Sequence, residues 1–150
     1  MKLAEALIIR KDLQTRLESL RQRLSVNAVV QEGEKPAEDP AALLKEAADC
    51  CARLEQLVSR INLTNARTEK DGLSLTELLS KRDALKEKIS IMQSLMDAAS
   101  RTVIRGSRSE VKILSTVDVS ALRKDCDRLS QELRELDTSI QSANWLIDLK

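Results

Sequence analysis

Apolar residues recur along this chain in two rhythms. The first is the alternating three-four spacing that marks one face of a helix. Leu3, Ala6, Leu13, Leu17, Leu20 and Leu24 follow it and predict a helix over about 2–24, with Arg10 falling on the stripe where Leu or Ile would be expected. Leu43, Ala47, Cys50, Leu54, Leu57 and Ile61 predict a second helix over 40–70. Leu78, Leu85, Ile89, Met92, Met96 and Ala99 predict a third over 75–100. Leu122, Cys126, Leu129, Leu133, Leu136, Ile140, Ala143 and Ile147 predict a fourth over 118–149, the most regular of the set. The last three would each be roughly 40–46 Å long at 1.5 Å per residue.

The second rhythm has period two and occupies the two long connections. Val26, Ala28 and Val30 alternate in residues 26–31, and residues 102–115 alternate around Gly106. Both read as strand-like. Asp39-Pro40 is a helix start, with Asp as N-cap and Pro at the first helical position. Gly72 reads as the left-handed terminator of the second helix, and Ser74 with Glu77 matches a capping box opening the third. The short connection at 71–74 makes the second and third helices an antiparallel hairpin. The two strand-like segments would then lie at the opposite end and pair as a small antiparallel sheet. The expected fold is therefore mainly α: four long amphipathic helices in an antiparallel bundle, with a small β element at one end. At 150 residues it reads as a single domain over 1–150.

Composition narrows what such a bundle can do. The chain has one Trp and no His, Tyr or Phe, against 33% charged residues and a net charge of +1. Its core must be built from aliphatic side chains, and no global field favours nucleic acid or an anionic membrane. Without His there is no imidazole base, and no glycine-rich phosphate loop occurs. The many carboxylates sit mainly opposite the leucine stripes, as solvated helix surface. No catalytic group, cofactor or metal is expected. Cys50, Cys51 and Cys126 are odd in number and irregular in spacing, so they read as small apolar residues in a reducing cytoplasm; a vicinal redox or metal role for Cys50-Cys51 is the alternative. No segment reaches the roughly 18 apolar residues of a membrane span.

Three features remain as candidate sites. Arg101, Arg105, Arg108 and Lys112 against Glu110 give the 101–117 segment a charge of 4 − 1 = +3. Residues 31–49 hold six carboxylates against two lysines, 2 − 6 = −4. The simplest reading is an assembly patch in which the basic residues pair with Glu32, Glu34, Glu38 and Asp39, within one chain or between subunits. An anion site is the alternative; nucleic acid is not expected, because the segment lacks the aromatic side chains on which bases stack. Asn62 and Asn65 lie beside or on the second helix's seam. They either fix register at an interface or are tolerated near a fraying helix end. Trp145, the lone aromatic, is expected to anchor an interface or the core.

Four strings also carry a resemblance: "VQEGEKPAEDP" (30–40), "RINLTNA" (60–66), "GSRSEVKILSTVDV" (106–119) and "ANW" (143–145). In that order they resemble a bacterial family some of whose members bear the label septicolysin. The label implies a cytolysin and brings no site residues with it. From the residues themselves, narrow seams that bury one stripe per helix leave apolar surface uncovered in a monomer. The expected function is that of a non-enzymatic structural or interaction protein forming a helical homo-oligomer; the label supplies the alternative, a toxin-like membrane-active protein.

Overall fold

The computed structural model describes residues 1–101 and 113–150. Among them the chain forms four helices and one two-stranded ribbon: α1 (Leu3–Val26), α2 (Pro40–Arg67), β1 (Glu69–Lys70), β2 (Leu73–Ser74), α3 (Leu75–Ala99) and α4 (Val119–Leu146). The expected mainly α fold is what is seen. Its residues group into two compact units, Met1–Leu75 with Ser142–Lys150 and Thr76–Gln141.

The first unit is built on α1 and α2. The leucine stripe of α1 buries Leu3, Ala6, Leu13 and Leu20. Arg10 stays half-buried on that stripe, with its Nε enclosed and without a hydrogen bond among the described residues. Asp39 caps α2 by accepting a 3.0 Å hydrogen bond from the Ala41 N–H, with Pro40 opening the helix. The buried face of α2 runs Leu43, Cys50, Leu57 and Thr64 at seven-residue intervals, with Ile61 beside it. Arg16 of α1 donates to Glu46 of α2 at 2.7 Å, and Arg23 pairs with Glu38 just ahead of α2. The pairing order runs antiparallel.

Residues 147–150 close this unit. Leu3 N–H donates to the Ile147 carbonyl and Leu149 N–H to the Met1 carbonyl, each at 2.9 Å. Lys2 Nζ lies 3.0 Å from both the Leu146 carbonyl and the Asp148 carboxylate. Thr64, with no solvent exposure, accepts the Lys150 N–H at 3.0 Å and donates to the Arg60 carbonyl at 2.8 Å. Arg60 Nε in turn donates to the Lys150 carbonyl at 2.9 Å.

The second unit holds most of α3 and α4. Leu85 and Ile89 pack with Cys126 and Leu129, and Met92, Met96, Leu133 and Leu136 lie half-buried against them. Lys81 reaches Glu132 at 3.1 Å on the flank of that seam. Asp118 caps α4 through the Ala121 N–H at 3.0 Å.

The β element sits elsewhere than the sequence pattern predicts. Val26 ends α1, and residues 27–31 are irregular backbone. Asn27 accounts for this. Its N–H and side-chain amide both donate to the Arg23 carbonyl, at 3.1 and 2.9 Å, turning the chain out of the helix. Residues 113–115 are also irregular; the rest of the strand-like 102–115 segment, 102–112, lies outside the described residues. The observed ribbon is the α2–α3 connection, with Glu69 opposite Ser74 and Lys70 opposite Leu73. Asp71 (φ 53°) and Gly72 (φ 80°) form its two-residue turn. Positive φ at both central positions is what a type I′ hairpin requires, and Asp-Gly tolerates it.

Candidate functional site

The predicted assembly patch is only partly visible. Arg101 follows the end of α3 and is exposed. Arg105, Arg108 and Lys112 lie outside the described residues. Two of the four carboxylates assigned to pair with them are engaged locally. Glu38 meets Arg23 in a bidentate contact, its main-chain N–H donates to the Asn27 side chain at 3.0 Å, and Asp39 caps α2. The reason is proximity: Arg23 stands in the last turn of α1, and Asn27 folds the connection back so that Glu38 arrives beside it. Hydrogen bonding from Arg23, opposed in part by burial, holds the Glu38 carboxyl below the usual glutamate value. The same contact raises Arg23. Glu32 and Glu34 are exposed.

The residues singled out for register behave differently. Asn62 is exposed and Asn65 half-buried, while the buried polar residue on that stretch of the seam is Thr64. Its signal was present, since the seven-residue repeat of Leu43, Cys50 and Leu57 continues to position 64. Trp145 is 57% exposed, so it is not a core residue of the single chain. Leu146 beside it is 75% exposed. Cys50 and Cys126 are buried seam residues and Cys51 is exposed; all three are free thiols.

A concave feature lies in the first unit, along one side of α1 and α2. A cleft of about 630 Å³ is floored by Ile9 and Leu13, and Asp12, Arg16, Arg23 and Arg53 stand around it. A second depression of about 250 Å³ shares Ile9, Leu13 and Arg53 and adds Leu57, Met1 and Arg60. Together they make one open groove with an aliphatic floor and a cationic rim. Arg16 and Arg23 already face Glu46 and Glu38. Neither Arg53 nor Asp12 has an ion-pair partner among the described residues. Nucleophile, base and oxyanion donors do not converge here. Among the described residues no three His, Cys, Asp or Glu side chains gather as metal ligands. Nor does any described helix have the length and apolarity to cross a membrane.

Residues 10–149 match the model of a family described as being of unknown function, DUF6847. The chain belongs to that family. A crystal structure described as a functionally unknown conserved protein from Corynebacterium diphtheriae is similar to it throughout, with 42% identity and a TM-score of 0.94 over 100% of this chain and 99% of that one. No curated protein matches. The DUF6847 match and the corynebacterial structure agree on a shared fold, and neither description mentions a cytolysin.

Proposed function

We propose that this protein is a non-enzymatic interaction protein that acts as a helical homo-oligomer in a reducing, cytoplasmic compartment. The observation that carries the reading is the exposure of large apolar side chains in each unit. The second unit buries a single seam between two helices and leaves Ile91 60% and Leu114 77% exposed. The first leaves Ile8, Trp145 and Leu146 more than half exposed, and it also holds the groove floored by Ile9 and Leu13. Exposed apolar side chains of this kind are what an interface on a soluble protein would bury. Closed homo-oligomers are the commonest way to cover them. Three free thiols, two of them buried within seams, support the compartment.

Sedimentation velocity at micromolar concentration tests the reading. A species at least twice the 16.8 kDa chain mass is expected, and a homogeneous monomer overturns it. Dye release from liposomes at submicromolar protein would instead favour the membrane-active reading that accompanies the septicolysin resemblance.

A further inference from the structure

We propose that the groove beside α1 and α2 is filled by Trp145 and Leu146 of a second copy of this chain, in a two-fold symmetric dimer. This rests on the homo-oligomer reading and adds the surface, the anchor and the symmetry. A two-fold contact needs one patch that is complementary to itself, a protrusion and a receptor on the same face. The first unit has both. Trp145 and Leu146 end α4 and stand out from it, 57% and 75% exposed. They are held firmly, because Lys2 fixes the Leu146 carbonyl at 3.0 Å and the Leu3 N–H fixes that of Ile147 at 2.9 Å. Met1 lines one end of the groove and accepts the Leu149 N–H at 2.9 Å, so anchor and groove adjoin.

The chemistry of the two surfaces matches group by group. Leu146 offers an aliphatic side chain to the floor of Ile9, Leu13 and Leu57. An indole face attracts a guanidinium, and Arg53 on the rim has no carboxylate partner among the described residues. A buried indole N–H needs an acceptor, and the Asp12 carboxylate stands on the same rim. Asp148 beside the anchor is already paired with Lys2 at 3.0 Å and adds no free charge to the contact. Trp and Arg dominate the energetically decisive positions of interfaces. Here the only aromatic residue of the chain is exposed in the last turn of α4, and on the groove's rim Arg53 has no ion-pair partner among the described residues.

The test is dimer dissociation, followed by sedimentation and by Trp145 emission on dilution of the full chain. Wild type should show blue-shifted emission that moves red as it dissociates. Trp145→Ala and Arg53→Glu, both at exposed positions, should each keep wild-type helix content by circular dichroism. Each should raise the dimer Kd by about 30-fold or more. In Trp145→Ala/Arg53→Glu the losses should be less than additive, as for residues in contact. If wild type is oligomeric, emits like a water-exposed indole and is unaffected by Trp145→Ala, this interface is wrong while the homo-oligomer reading stands. If wild type is monomeric at micromolar concentration, both fall.

Discussion

Thr64 has no exposure to solvent and serves two main-chain groups at once, donating to the Arg60 carbonyl and accepting from the Lys150 N–H. Thr64→Val keeps the shape of the side chain and strands the Lys150 donor. An unsatisfied buried donor costs about 1–3 kcal/mol, so urea denaturation should show a loss of that order with little change in helix content. Glu38 makes a different kind of prediction. Its folded pKa lies below the unfolded value, because Arg23 hydrogen-bonds the charged form. The pair therefore stabilises the fold above the ordinary glutamate range, and that contribution is lost as pH falls through the lowered value. Stability measured from neutral pH down to about pH 3 should lose part of its acid-side slope in Glu38→Gln, and high salt should shrink the difference because the pair is exposed. At this scale the sequence was half legible. The seven-residue rhythm pointed at position 64, but a β-branched hydroxyl residue reads as neutral there until residues 147–150 arrive to use it. The Arg23–Glu38 contact was hidden for the same reason: no periodicity reports that Asn27 will turn the chain back.

Helices were the most legible elements, because one buried stripe recurring over seven or more turns is hard to mimic. Expected and observed bounds agree closely for α1, α2 and α3, with Asp39-Pro40 opening α2 as anticipated. The fourth ends earlier than its stripe suggests: Ile147 and the residues after it leave the helix to pair with residues 1–3. The strand expected at residues 26–31 was misread for an instructive reason. Alternation at Val26, Ala28 and Val30 describes a strand only if another strand lies beside it, and Val26 and Val29 are instead 77% and 81% exposed. The real ribbon is two residues a side, too short to show alternation, and is specified by its turn. Gly72 carries φ 80°, where an added Cβ meets no neighbouring atom within 4 Å. Gly72→Ala should therefore cost about 1 kcal/mol through backbone strain alone. Thermal unfolding should show a drop of a few degrees for Gly72→Ala and nearly none for Gly72→Asn, which tolerates the left-handed region.

On the scale of the whole molecule, the division into two units was not visible in the helix pattern, because α3 and α4 keep their stripes unbroken from one unit into the other. What differs is how each stripe is covered. Leu129, 5% exposed, belongs to a seam between only two helices, with methionines filling its far end. Leu129→Ala should cost about 2–5 kcal/mol. Hydrogen exchange should show the loss concentrated in residues 76–141, with residues 3–26 and 40–67 keeping their protection. The candidate patches were legible only as residue types; which of them share a surface depended on connections that carry no period. The pairing of residues 1–3 with 147–149 also has a consequence in time. A ribosome exposes α1 and α2 early, and they can zip together while α3 is still being made. Yet the hydrogen bonds of Leu3, Lys2, Arg60 and Thr64 to this segment must wait until the whole intervening chain has emerged. Closing so long a loop is slow, but its entropic cost grows only with the logarithm of its length. The α1–α2 pair is thus a nascent receptor whose latch is synthesised only after α3 and α4, and a chain stalled near residue 141 would present that receptor open.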